Sequence, residues 1–346
     1  MLGAALVRQV KCIIWDLDNT LWDGVLLEDR EVTLRPHAAE VVRALDARGV
    51  LQSVISRNDA EAAQAKLRQF GLADYFLAPQ IGWGAKSTAV GSICGELDLP
   101  HDAVGFVDDD DFERDEVRYA LPQVRCFAPG DLRYLLDLPE LSFARVTEEA
   151  TGRRVAYQAE ARRRAAAEAA GTSADFLATL DMRLSIDIAS QEDLERAEEL
   201  TVRTHQLNTT GRTFSAAELA ELIESPDHLL LMASLTDKYG SFGRIGLALV
   251  QTTGTTWRLQ LLLMSCRVLA RGVGSVFLGD IMRRAQRAGV TLLVEFLPND
   301  RNRMMLVTLR FAGFAPVGRR GDVDVLQADL SRISEPPDFV KLDSCV

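Results

Sequence analysis

Two aspartates, Asp16 and Asp18, follow the apolar run CIIW directly. Side chains at the carboxyl end of a buried parallel strand emerge into the crevice where open α/β sheets hold ligands, and alternation turns both carboxylates to one mouth while Leu17 packs away. Carboxylates this close repel unless a cation holds them, so the pair predicts bound Mg²⁺. A lone D-x-D is more often a turn cap, but three later segments point elsewhere. LQSVISRND ends a second strand at Ser56, IGWGAKSTAV places Lys86 at a helix start, and GFVDDDDFERDE puts Asp108 and Asp109 after a third strand. A hydroxyl, an ammonium and further carboxylates delivered by successive strand ends make a phosphate site. In it Asp16 is the nucleophile on phosphorus, because a carboxylate can carry a phosphoryl group as an acyl phosphate. Asp16, Asp18 through its backbone, Asp108 and Asp109 hold the metal. Asp18 gives a proton to the leaving oxygen and then activates water. Ser56, with Arg57 and Asn58 beside it, and Lys86 hold the phosphate oxygens.

A second group lies in LLLMSCRVLARGVGS. The thiol of Cys266, next to Arg267 and Arg271 and ahead of a helix, is a candidate nucleophile with its thiolate favoured; the bland alternative is an inert core cysteine. The turn at Gly272 lets backbone N–H groups approach a phosphate. His205, as a base, and Asn208 are candidates to line the same cleft with Gln206 and Arg212, although a polar turn explains them equally well. Arg162 to Arg164 read as a solvated helix face, and Arg267, Arg271, Arg283, Arg284 and Arg287 as a local basic patch for an acidic partner.

The elements that must position these groups come in two patterns. From residue 11 to about 128, short apolar runs alternate with amphipathic stretches, the mark of parallel strands buried on both faces of a doubly wound sheet. Residues 145–171, rich in Ala, Arg and Glu, read as a helical linker with Gly171 as its C-cap. Beyond it, consecutive strands and a Gly-rich turn into a helix indicate a mostly antiparallel α+β domain. The expected division is 1–144, a linker 145–178, and 179–346. Forty residues from Asp16 to Ser56, and thirty from there to Lys86, leave room for a short flap (Asp23 to Leu34) but no cap domain. An uncapped phosphoryl site must be covered by a macromolecular substrate or another domain if water is to be excluded.

Composition narrows the field. The 346 residues carry a net charge of −11, so no broad cationic face exists to hold nucleic acid. The five scattered cysteines form no C-x-x-C pair, which fits reduced thiols in a cytoplasm. MLGAALVRQVKC is too short for a signal peptide, and no apolar run reaches membrane length, so a cytoplasmic location is expected.

WDLDNTLWDGV, VISRND, Lys86 and FVDDDDFER resemble the four motifs of the haloacid dehalogenase superfamily of phosphotransferases. Asp18 is the second acidic residue that its phosphatases carry and its dehalogenases lack, so the resemblance implies chemistry at phosphorus. NRMMLVTLRFAGF, from Asn302 to Gly313-Phe314, resembles the end of the GNAT fold of N-acetyltransferases. Leu309 stands where those enzymes often have a Tyr acid, and Leu269 where they have Gln or Arg, which argues against amine acetylation. Both halves together, with LDMRLSIDIA, THQLNTTGRTFS and LMSCRVLARGV, look like the FkbH-like family. That resemblance implies transfer of a glyceryl unit from 1,3-bisphosphoglycerate, with loss of phosphate, to the phosphopantetheine of an acyl carrier protein for polyketide units such as methoxymalonyl carrier protein. It also implies Cys266 as the acyl-carrying residue. The alternatives are a plain Mg²⁺-dependent phosphatase with the second half as a lid, and an idle scaffold.

Overall fold

The computed structural model describes residues 9–29, 31–142, 151–170 and 172–345. It divides into two compact units, Met1–Ala161 and Arg162–Val346.

In the first unit β1 (Cys12–Trp15) leads into a flap hairpin, β2 (Trp22–Asp23) and β3 (Thr33–Leu34). Then follow α1 (Ala38–Ala47), β4 (Leu51–Ser56), α2 (Ala60–Gln69), β5 (Gln80–Ile81), α3 (Lys86–Glu96), β6 (Val104–Val107), α4 (Asp111–Ala120) and β7 (Arg125–Phe127). The sheet order is β5-β4-β1-β6-β7, with every pairing parallel. Alternate residues of β1 feed opposite cores. Ile13 and Trp15 pack with Val41, Leu45 and Leu67 of α1 and α2, while Cys12 and Ile14 pack with Val90, Ile93 and Val117 of α3 and α4. This is the doubly wound sheet expected from the continuous apolar runs. The chain order reverses between β1 and β6, which puts the topological switch, and the crevice that goes with it, beyond Trp15 and Val107.

Of the expected linker, residues 145–150 and Gly171 lie outside the described residues. Helix α5 (Arg153–Ala169) contains the division between the units. A short α6 (Ser173–Ala178) follows.

The second unit continues with β8 (Met182–Ile188), α7 (Leu194–Arg203), α8 (Ala216–Glu224), β9 (His228–Asp237), β10 (Gly240–Gln251), β11 (Thr256–Met264), α9 (Val273–Arg287), β12 (Thr291–Phe296), α10 (Arg303–Phe311), β13 (Phe314–Arg320), β14 (Val323–Ala328) and β15 (Val340–Ser344). Its mixed sheet runs β13-β14-β12-β11-β10-β9-β8-β15, with β11/β12 and β8/β15 parallel and the other pairs antiparallel. Ala197, Leu200 and Leu219 of α7 and α8 cover one face; Phe277, Ile281, Met305 and Leu309 of α9 and α10 cover the other. The α+β expectation holds.

Arg163 corrects the reading of the 162–164 run as a solvated face. Arg162 and Arg164 are exposed, but Arg163 is buried. Its Nε and Nη2 donate to Asp237 Oδ2 and Oδ1 at 2.7 and 2.9 Å, and its guanidinium lies 4.0 Å over the Phe242 ring. No helix among the described residues is long and apolar enough to cross a membrane.

Candidate active site

Strand register assembles the first site. Trp15 pairs with Val107, so the next residues along, Asp16 and Asp108, emerge side by side, and Asp16 N donates to Val107 O at 2.8 Å. One oxygen of each of Asp16, Asp108 and Asp109 lies within 4.8 Å of the other two. Lys86, the first residue of α3, places Nζ 2.7 Å from Asp16 Oδ1 and in contact with Asp108 Oδ2. Three carboxylates and one ammonium leave two negative charges uncompensated, and the donors are all hard oxygens. That donor set fits Mg²⁺.

Burial pushes the Asp16 carboxyl up to about 7; the Lys86 ammonium opposes this, and Asp108 and Asp109 add to it. Burial alone would lower Lys86, but Asp16 and Asp108 outweigh it and hold the ammonium above its ordinary value. Asp108 is raised by burial against Lys86. A metal ion would offset the burial, and the smaller carboxylate repulsion, that raise the two carboxyls.

The Asp18 side chain stands apart from the three-carboxylate group, in keeping with an expected metal contact through its backbone rather than its carboxylate. Its Oδ1 accepts from Trp22 Nε1 at 2.7 Å and from Leu26 N at 3.0 Å, and its Oδ2 accepts from Asn58 Nδ2 at 2.8 Å. The flap and the β4 end hold this carboxylate, which is why it stands outside the three-carboxylate group. Ser56 is buried at the end of β4 and accepts from Asn58 Nδ2 at 3.2 Å. Arg57 pairs with the buried Glu113 at 2.8 Å, where burial raises the carboxyl against Lys86 and Arg57. Glu113 Oε2 and Asn58 Oδ1 are buried beside the site without a hydrogen-bond partner among the described residues.

Four supporting residues escape a reading of the sequence. Thr20 accepts from Asp109 N at 3.0 Å and donates to Asp109 Oδ1 at 3.1 Å; the signal was the D-x-D-x-T spacing. Arg114 Nη1 donates to Asp108 O at 2.5 Å, from one helical turn along the run that carries the acidic loop. Trp22 and Glu113 had no local signal, because each gains its role only through its neighbours in the fold.

In the second unit Cys266 is exposed. It opens a 3₁₀ turn, Cys266–Arg271, and α9 starts only at Val273, so the thiol lies ahead of the helix but separated from it by that turn, and a helix field fades within one turn. The two arginines have donors committed elsewhere: Arg267 Nη2 donates to Phe242 O at 3.4 Å, while Arg271 donates to Arg267 O at 2.6 Å and lies 4.7 Å over the Phe242 ring. Gly272, at φ 71°, takes the left-handed turn that only glycine adopts freely. It helps to line a small cleft with Leu207, Met264, Val268, Ser275 and Met305. Cys266, His205, Asn208, Arg267 and Arg271 lie outside that lining.

Asn208 is corrected from substrate ligand to loop keystone. It is fully buried, donates to Thr204 O and accepts from Thr210 N and Gly211 N. His205 is exposed, and Arg212 faces Glu295 at 3.6 Å. Leu309 is core. The basic patch divides in two, since Arg267 and Arg271 precede α9 while Arg283, Arg284 and Arg287 end it, about 20 Å away at 1.5 Å per residue. Arg284 is committed to Asp280 at 2.8 Å. Burial raises the thiols of Cys12, Cys94 and Cys126, and a hydrogen bond to Asp187 raises that of Cys345.

No protein-family model matches the chain, and no curated protein does. Among solved structures, it is similar to the N-terminal part of protein BF1531 from Bacteroides fragilis, which contains a phosphatase domain and is complexed with Mg. The identity is 29% and the TM-score 0.35, over 39% of this chain and 42% of that one. It is also similar to the ribosomal-protein-S18-alanine N-acetyltransferase from Escherichia coli, at 18% identity and TM-score 0.35 over 45% of this chain and 97% of that one. A third is the PaiA N-acetyltransferase from Thermoplasma acidophilum in complex with coenzyme A, at 16% and 0.35 over 42% and 98%. The chain thus spans less than half of the first of these.

Proposed function

We propose that this chain is a Mg²⁺-dependent phosphatase coupled to acyl transfer. It takes the glyceryl group of 1,3-bisphosphoglycerate, removes phosphate and loads the acid as a thioester on an acyl carrier protein, in the cytoplasm, toward a polyketide unit such as methoxymalonyl carrier protein. The observation that carries the phosphoryl half is the convergence of Asp16, Asp108 and Asp109 on one point with Lys86 between them. Asp16, Asp108 and Asp109 would hold Mg²⁺, which when bound supplies charge neutralisation at the phosphoryl oxygens.

The chain's own residues account for the steps. A carboxylate oxygen of Asp16 attacks phosphorus, the bond from phosphorus to the glyceryl oxygen breaks, and that oxygen takes a proton from Asp18. Water then attacks the aspartyl phosphate, gives its proton to Asp18 and frees Asp16 with release of phosphate. Lys86 and Ser56 bind the phosphoryl oxygens. At the other end of the substrate, the Cys266 thiolate attacks the acyl carbon; a sulfur–carbon bond forms and the carbon–oxygen bond to phosphate breaks. The phosphopantetheine thiol of the carrier attacks the new thioester, and its proton passes to the sulfur of Cys266. Exposure of Cys266 supports this last exchange, since a thiol delivered by a protein has to meet it at the surface.

A second reading, phosphatase activity alone, is favoured by the commitment of Arg267 and Arg271 to Phe242. One reaction separates the two. With 1,3-bisphosphoglycerate, Mg²⁺ and a holo carrier protein, intact-protein mass spectrometry gains one glyceryl unit on the carrier under the first reading, and Cys266→Ala stops it. Free phosphate over an unmodified carrier leaves only the second.

A further inference from the structure

The sheet of the second unit parts in its middle. β11 extends to Met264 and β12 to Phe296, yet they pair only over Thr256–Leu259 and Thr291–Val294. Strands that diverge leave N–H and C=O groups facing a slot, and an open edge of this kind accepts any extended chain that carries amides. The pantetheine arm of an acyl thioester, thin and with two amides, is such a chain.

Here the protein's own backbone lies in the slot. Met264 N donates to Leu207 O at 2.9 Å, Thr209 N to Leu262 O at 3.0 Å, and Leu262 N to Thr209 Oγ1 at 3.0 Å. Asn208 and Leu263 form an antiparallel bridge. On the far side Leu297 N donates to Thr209 O at 2.9 Å. Asn302 Nδ2 ties the two sides together, donating to Asn208 O at 3.1 Å and to Leu297 O at 2.9 Å. Asn208, Thr209 and Asn302 are all buried.

We infer that Leu207–Thr209 is a built-in strand that closes this slot to free coenzyme A thioesters, and that Thr209 and Asn302 set that specificity. Thr209 satisfies both walls at once, through its N–H and hydroxyl on β11 and its carbonyl on the residue after β12. An incoming arm would have to displace every one of these bonds. Cys266, by contrast, lies past the end of β11 and is exposed, so a carrier-borne thiol reaches it without entering the sheet. The inference rests on reading the second unit as an acyl-transfer domain.

The test is calorimetric titration of the full chain with coenzyme A and with acetyl-coenzyme A. The wild type gives no saturation below about 1 mM, and Asn302→Ala binds at least about tenfold more tightly. Saturation of the wild type at micromolar ligand, or a folded Asn302→Ala chain that binds no better, overturns the inference. Amide hydrogen exchange on the wild type keeps the test open should the variant not fold. The Leu262, Met264 and Leu297 amides are protected in the free protein, and coenzyme A leaves them unchanged; exchange as fast as in exposed loops, or new protection on adding coenzyme A, overturns it. Coenzyme A binding alongside normal glyceryl loading would remove this inference only. A closed slot without glyceryl loading would remove the proposed function only.

Discussion

Lys86 Nζ lies 2.7 Å from Asp16 Oδ1, although the residues are 70 positions apart and both are buried. Such a contact exists only because β1 is central in the sheet and α3 begins at the same rim, so the pair reports on the whole first unit.

Replacing Asp16 by Asn removes the proposed nucleophile while keeping its shape. Phosphate release should fall at least about 1,000-fold with the circular dichroism spectrum unchanged. A loss below about tenfold would mean that another group attacks phosphorus.

The raised Asp16 carboxyl has a signed consequence for stability. A group whose folded value lies above its unfolded one stabilises the fold fully below the unfolded value, here 3.8, and that contribution is lost as pH rises through about 7. In metal-free buffer, denaturant unfolding of the wild type relative to Asp16→Asn should therefore show a shrinking advantage over that window. Mg²⁺ should restore stability most strongly above it, because binding requires the carboxylate. A wild-type advantage that grows with pH without metal would contradict the assignment.

Trp22 and Asn58 donate to the carboxylate of Asp18, the residue that the proposed mechanism uses as proton carrier. Trp22→Phe keeps the packing against Phe70 and deletes one charged hydrogen bond, so kcat for phosphate release should drop about tenfold with KM unchanged. Steady-state kinetics in which KM rises and kcat holds would show that Trp22 serves substrate binding instead.

Much of this arrangement is legible in the sequence because strand ends are. CIIW, LQSVIS and VGFV read as buried parallel strands, and the residues just past their ends must converge. The direction of the Asp18 side chain is not legible, since an indole donor in a two-residue flap strand decides it. Arg163 differs from Arg162 and Arg164 only through Asp237, supplied by a hairpin more than seventy residues on. Asn208 looks like a ligand in THQLNTTGR because its chemistry suits one, and only its burial among loop amides shows where that chemistry is spent. β13 is exposed along most of its length and β15 joins the sheet beside β8 late in the chain, so neither shows a strong apolar alternation.

The buried Arg163–Asp237 pair gives a prediction independent of catalysis. Removing one partner strands a buried charge, so Arg163→Ala should lower unfolding stability by about 3–5 kcal/mol. Urea denaturation that moves by less than about 1 kcal/mol would mean the pair is solvated in solution.

Whether Asp16 carries phosphate during turnover is the most direct question to put to the protein. A rapid acid quench of the protein mixed with Mg²⁺ and 3-phosphoglycerate, labelled at phosphorus, should trap a hydroxylamine-sensitive label on the peptide that contains Asp16, absent from Asp16→Asn. Phosphate release by the wild type with no label on that peptide at any time point would contradict it.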